Sequence, residues 1–319
     1  MPVRFDTFDA YPAVTTTRSC VGGGIRRSGI VAAVLLAIFA PYPAAAAPVT
    51  VRDAFDRAVT LPTPPKRIVP IFASNTEIVA SLGLADRIVG IEAYTRYPPN
   101  VLDRPLVGGR LGFSVDALVD LRPDLVVVTP SRQAANLLVD PMERLGVPIL
   151  VLLTRSVDEI LSNIRLVAVA AGVPERGEEV AARFSDRLAR VTGRVAPLAP
   201  PSVIMITGRV GNGLMLVTRE GTYTGDAVLR AGARFALPPS PVAQVSPEAI
   251  LNADPDVLLW AGSDKDLKAL IAQPGWSGLR AVRAGRAHAV SRTELLIPGP
   301  RTIDGIEHLS AIFHPVGGR

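Results

Sequence analysis

Three tyrosines and five arginines fall where strands are expected to hand over to helices, and they are the side chains best suited to grip a small molecule. Tyr94, Tyr97 and Tyr223 all lie in segments that follow or link predicted strands, and in an α/β lobe such connections form the binding edge. A tyrosine there can stack on a planar ligand, donate a hydrogen bond, or bind ferric haem through its phenolate. The plainer role is packing of loop on loop, above all for Tyr97, which precedes two prolines. Arg96, Arg110, Arg132, Arg209 and Arg292 recur in the same connections. Their guanidinium forks suit carboxylate, phosphate or catecholate oxygens, although many arginines of so Arg-rich a chain serve as solvated surface. Ser74 and Asn75 are placed to cap the first helix, and the N–H groups exposed there suit an anionic ligand.

Other chemistry is thinner. Cys20 is the one cysteine; it lies within the cleavable segment described below, ahead of its apolar run, so the mature chain is expected to have no disulfide, thiolate metal site or cysteine nucleophile. His288, His308 and His314 cluster near the end of the chain, whereas a bare zinc or manganese site between lobes needs ligands from both. No metal site and no cofactor of its own is therefore expected. Without a histidine before residue 288, no credible base–nucleophile pair for a secreted α/β enzyme is visible. Gly208–Gly213 resembles a phosphate loop, but a strand pattern rather than a helix follows Asn212-Gly213, so a hairpin is expected. Asp116 and Glu248 each stand in the first turn of a predicted helix, where a carboxylate faces the positive helix end and stabilises it by about 0.3–1 kcal/mol.

Those two acids belong to the feature that organises the chain. Segment 114–128 returns at 246–260, an offset of 132 residues, and each copy reads as a serine-capped helix, a Pro-Asp turn and a buried strand. Strands at 68–72, 87–91, 125–128 and 148–152 alternate with helices at 77–82, 115–121 and 136–145, the pattern of a covered, mostly parallel sheet. The stretch 156–194 is almost wholly helical: Ser156–Glu159 is a capping box, Gly172 a stop, and Val180, Phe184, Leu188 and Val191 form one stripe. A second set follows, with strands at 203–207, 257–260 and 288–290 and helices at 225–231, 247–252 and 302–313. The fold expected is α/β: two Rossmann-like lobes, 47–155 and 196–319, joined by a helical backbone, 156–195, with a ligand cleft between them.

Residues 1–46 read as a secretory signal: Arg26-Arg27, an apolar run from Gly29 to Ala40, then small residues with cleavage expected after Ala46. The apolar run is shorter than a membrane span, and Cys20 lies ahead of it, so no lipidated cysteine is expected. The formal charge is +5, of which residues 1–46 carry two, from four Arg and two Asp. So small a charge, with no basic stripe, excludes a nucleic-acid partner.

The segments Asn75–Gly90, Tyr97–Pro99, Val107–Gly109, Thr224–Gly232 and Pro298–Glu307, with the two repeat copies, resemble the substrate-binding proteins of ATP-driven importers for iron complexes (ferric siderophores, haem) and cobalamin. The resemblance runs from about Ile68 to Pro315. It implies two lobes joined by one long helix, a shallow cleft, little hinge motion, and a periplasmic protein, monomeric, that delivers a metal chelate to an ABC permease and its ATPase. In this family a glutamate two residues after the serine on each lobe docks onto permease arginines; Glu248 matches, while Asp116 is one methylene shorter. A secreted enzyme using the same cleft, or a sensor or scaffold that keeps the fold without transport, are the alternatives.

Overall fold

Each copy of the repeat builds its own sheet in the computed structural model, which describes residues 47–109, 112–129 and 139–315. The expected signal segment lies outside these residues. In the first lobe a hairpin of β1 (Val49–Arg52) and β2 (Ala58–Leu61) precedes a parallel sheet ordered β3 (Ile68–Pro70), β7 (Leu125–Val128), β8 (Ile149–Val151). A small sheet of β4 (Ile91–Glu92), β5 (Leu106–Gly109) and β6 (Gly112–Phe113) lies beside it, joined through the Ile68–Ile88 bridge. In the second lobe β9 (Ser202–Arg209) and β13 (Val257–Ala261) are parallel neighbours. β10 (Met215–Val217) and β12 (Gln244–Val245) extend the sheet beyond β9, and β14 (Ala287–Val290) extends it beyond β13; β11 (Arg234–Phe235) pairs with the start of β9. The expected hairpin joins β9 to β10: Gly213 takes φ 84°, which its missing Cβ permits, and Asn212 Oδ1 accepts from Leu214 N at 3.2 Å.

The two repeat copies match in detail. Ser114 caps α2 (Val115–Asp120) by accepting from Ala117 N at 3.1 Å, and Ser246 caps its counterpart Pro247–Ala253 by accepting from Ala249 N at 3.2 Å. Both helices end on a left-handed residue before proline, Arg122 (φ 43°) and Asp254 (φ 37°). The aspartate after each proline then ties down the start of the neighbouring strand. Asp124 accepts from Lys66 N and Arg67 N, both at 2.8 Å, and Asp256 from Ser202 N at 2.9 Å and Ser202 Oγ at 2.7 Å. The strands that follow are wholly buried and alternate between two cores, because successive side chains leave a strand on opposite faces. Leu125, Val127, Val257 and Leu259 join a core common to both lobes; Val126 and Val128 join a core of the first lobe, Leu258 and Trp260 one of the second.

The stretch 156–195 is a helical hairpin rather than one rod. α3 (Val157–Ala170), capped by Ser156 at 3.1 Å from Glu159 N, packs on β1 and on α1 (Ala73–Ser81). The chain turns at Gly172, where φ is 72°, and α3 and α4 (Pro174–Val195) both run between the lobes: Val157 N donates to Asp226 of the second lobe at 2.8 Å, and Arg87 of the first donates to Ala171 O at 3.0 Å. The 22 residues of α4 span about 33 Å at 1.5 Å each. Arg176 near its start donates to Leu82 O, and Val195 at its end packs under Gly232. The stripe Val180, Phe184, Leu188, Val191 is buried as expected.

Some boundaries move. The first helix starts at Ala73 instead of Glu77, which shortens the preceding strand to Pro70. The strand expected at 87–91 reduces to Ile91–Glu92 after a helical turn at Ala85–Arg87. Of the helix expected at 136–145, residues 139–144 are helical and 136–138 lie outside the described residues. The second lobe continues with α5 (Tyr223–Arg230), α6 (Pro247–Ala253), α7 (Asp264–Ile271), α8 (Arg280–Arg283), α9 (Arg292–Leu295) and α10 (Thr302–Phe313), the last as expected. No helix among the described residues is long and apolar enough to cross a membrane.

Candidate ligand cleft between the lobes

The carboxyl ends of the first lobe's parallel strands open onto a cleft of about 240 Å³. Phe72, Ala73 and Ser74 after β3, Thr129 after β7, and Glu92 and Tyr94 at and after β4 line one wall; Leu296, Ile297 and Pro298 of the second lobe line the other. Binding at strand carboxyl ends is what a parallel α/β sheet favours, since helix N-termini and connections converge there.

The first turn of α1 fixes the near wall. Ser74 lines the cleft and is buried, but it does not cap the helix, and neither does Asn75. The N-cap is Phe72, in left-handed backbone (φ 77°), and among the described residues no side chain accepts from the helix start. The residues expected to cap therefore sit inside the first turn. Asn75 is occupied structurally: its amide donates to Ile71 O at 2.5 Å and its carbonyl accepts from Thr129 Oγ1 at 3.1 Å. Asn75 N and Thr76 N turn back to Phe72 O, while Ala73 and Ser74 at the positive end of the helix dipole line the cleft, an arrangement that favours an anionic group. Left-handed backbone at a bulky residue is costly, on the order of 1–3 kcal/mol, and such residues gather at ligand clamps.

Tyr94 stands at the mouth, 53% exposed, so its ring and hydroxyl are free to meet a ligand. Glu92, two residues earlier, is buried, and desolvation pushes its carboxyl above the ordinary value despite the Tyr94 backbone N–H and Arg96 acting the other way. Sequence reasoning missed Glu92, Thr129 and the wall 296–298. The signal for Glu92 was available: a lone acid closing the apolar run from Ile88.

The remaining candidates are dispersed. Arg96 is exposed beside Tyr94, with one nitrogen donating to Ala93 O (2.6 Å) and Thr95 O (2.9 Å). Arg209 and Arg292 stand at the carboxyl edge of the second sheet. Arg209 lies over Trp260, 5.5 Å from the ring, and Arg292 donates to Thr207 O (2.7 Å) and Ala261 O (3.1 Å), closing the ends of β9 and β13. Tyr223 is not a loop residue: it begins α5, does not line the cleft, and burial raises its phenol. Tyr97 packs its ring under Arg301. Arg110 and Arg132 lie outside the described residues. Asp116 and Glu248 are exposed on the two repeated helices, and Glu248's own backbone N–H and Ser246 lower its carboxyl, which keeps it ionised. Among the described residues no cluster of His, Cys, Asp and Glu is arranged to hold a metal ion.

Two α/β lobes, a helical connector and a cleft lined from both sides define a bilobed solute-binding protein. The chain belongs to the periplasmic binding protein family, whose model matches residues 68–289. That family comprises substrate-binding proteins rather than enzymes. The ABC transporter substrate-binding lipoprotein YvrC of Bacillus subtilis is 27% identical over 84% of this chain and 86% of its own length. The vitamin B12-binding protein of Vibrio cholerae is 27% identical over 78% of this chain and 89% of its own. Among solved structures, the periplasmic heme-binding protein RhuT of Roseiflexus sp. RS-1 superposes with a TM-score of 0.68 at 27% identity, covering 78% of this chain and 97% of that one.

Proposed function

We propose that this protein captures a metal chelate in the periplasm, an iron complex such as haem or a ferric siderophore, and delivers it to an ABC permease driven by its ATPase. The observation that carries the reading is the cleft itself: an exposed phenol, the N-terminal end of α1 at Ala73 and Ser74, and an apolar wall of Leu296, Ile297 and Pro298. A planar, partly anionic chelate matches that combination, its face on the apolar wall and its acidic edge toward α1. Cobalamin is the second reading, supported by the vitamin B12-binding relatives.

Trp260 and Trp276 are both buried in the second lobe and provide an intrinsic fluorescence probe. Titration with hemin, a ferric siderophore and cyanocobalamin is expected to quench that emission for one class. For hemin, Tyr94→Phe is expected to weaken binding at least tenfold and to shift the Soret band if the phenolate is an iron ligand. Absence of binding to all three probes refutes the reading.

Asp116 and Glu248 carry the docking role in this proposal. Each is exposed near the N-terminus of a repeated helix, one per lobe, and charge reversal at either is expected to slow permease-dependent uptake while leaving chelate affinity unchanged. The protein acts as a monomer, freed from its signal after Ala46 and without a lipid anchor, since Cys20 precedes the apolar run. Palmitate labelling of cells tests that point; label on the protein overturns it.

A further inference from the structure

Glu77 on α1 and Arg301 at the N-cap of α10 lie 224 residues apart in sequence, yet they bond across the lobes at 2.6 Å. The Glu77 side chain is 1% exposed and that of Arg301 20%. The guanidinium also lies over the Tyr97 ring, 4.6 Å from its centre. One and two turns further along α10, Asp304 and Glu307 both hold Arg187 of the connector at 2.6 Å. Segment 296–307 is thereby fastened to the first lobe and to the connector at once.

The position of this fastening matters for the cleft. Glu77 is three residues beyond Ser74 on the same face of α1, and Arg301 is three residues beyond Pro298. Ser74 and Pro298 belong to opposite walls of the ligand cleft. On the other side of the pair a second cavity, about 320 Å³, is lined by Glu77, Tyr97, Phe184, Arg187, Arg301 and Asp304 among others. It leaves room for the lobes to shift once the pair is broken.

Stability is a poor explanation for such a pair. Burial raises the Glu77 carboxyl in spite of Arg301, and Glu77 Oε2 and Arg301 Nε are buried without a hydrogen-bond partner among the described residues. Buried pairs of this kind are often replaceable by apolar residues without loss of stability, and in some proteins what they supply is a defined geometry. A planar fork held by a carboxylate at one edge and a ring on its face admits one spacing of α1 and α10.

We propose that Glu77, Arg301 and Tyr97 form an interlobe tie that sets the width of the cleft. They are positioning residues: they touch no ligand and act by holding Leu296–Pro298 at a fixed distance from the first turn of α1. The proposal rests on the reading that this cleft is the ligand site.

The test places spin labels on cysteines introduced at the exposed positions Asp120 and Lys265, one per lobe, in a Cys20→Ser background. Electron–electron distances are measured without ligand, alongside hemin, ferric siderophore and cyanocobalamin titrations. The parent is expected to give one narrow distance. Glu77→Gln and Arg301→Gln are expected to broaden it at least twofold and to weaken the bound probe at least fivefold, with Arg301→Lys intermediate. An unchanged distance in both charge variants overturns the proposal, even if affinity falls. If those variants do not fold, Tyr97→Leu carries the test, since its ring is 44% exposed, and an unchanged distance there is equally fatal. A broadened distance in a protein that binds none of the three probes upholds the tie and removes the ligand reading instead.

Discussion

Asp256 shows what the repeat preserves at the level of single side chains. Its carboxylate is pulled below the usual value first by the Ser202 backbone N–H, then by the Ser202 hydroxyl. A carboxyl with a depressed folded-state value contributes stability above its unfolded value, roughly 3.9, and loses it as pH falls through the folded value. Asp256→Asn is therefore expected to cost about 1–2 kcal/mol at pH 7, and the gap between variant and parent should close below pH 4. Urea midpoints at both pH values check this; a constant gap refutes it. Asp124 bonds the strand start at 66–67 in the same manner, so the Pro-Asp turn read from the sequence is also a strand anchor. Tyr94 and Ser74 were legible as cleft residues because loop position and residue type suffice for them. Glu77 and Arg301 were not, since their meeting depends on how two lobes pack across most of the chain.

Elements followed the sequence where periodicity or a cap fixed them. Ser114, Ser156 and Ser246 all accept at helix starts as read, and the repeat strands match to within a residue. The failures came where tertiary contact overrides local signals: α1 begins with no side-chain cap among the described residues, because Phe72 is held in left-handed backbone with its ring edge-on to Phe113 at 5.8 Å. The turn at Gly172 was visible, but its consequence, a hairpin of α3 on α4, was not. That hairpin depends on Gly177. A Cβ there would lie 2.4 Å from Ala168 Cβ, across the closest approach of the two helices. Gly177→Val is expected to cost about 1–3 kcal/mol through overpacking. Gly193→Ala, on the same helix with nothing within 4 Å of the added carbon, should instead gain up to about 1 kcal/mol from helix propensity. Equal midpoints for the two variants in chemical denaturation would show that α3 and α4 pack more loosely than this.

At the scale of the whole molecule, the helical connector does more than space the lobes. One apolar core runs from Ile68, Ile78 and Leu125 through Ile164, Val180, Phe184 and Leu188 to Val203, Val257, Ile306 and Phe313. Each parallel sheet turns one face to this common core and the other to a core of its own. Such a partition makes neither lobe complete without the helices between them. Removing the second lobe would expose the apolar stripe of α4 and the sheet face that it covers, and area of that kind is worth roughly 25 cal/mol for each Å². The lobes are therefore expected to melt together, in contrast to two domains joined by a flexible linker, which melt separately. Scanning calorimetry of the signal-free protein should show one endotherm, with calorimetric and van't Hoff enthalpies equal. A bound chelate at one hundred times its dissociation constant should move that endotherm upward as a unit, by the equivalent of about 2.7 kcal/mol. Two resolved endotherms, only one of which responds to ligand, would mean that the lobes are energetically independent. A tie across the cleft would then have no rigid frame to act on.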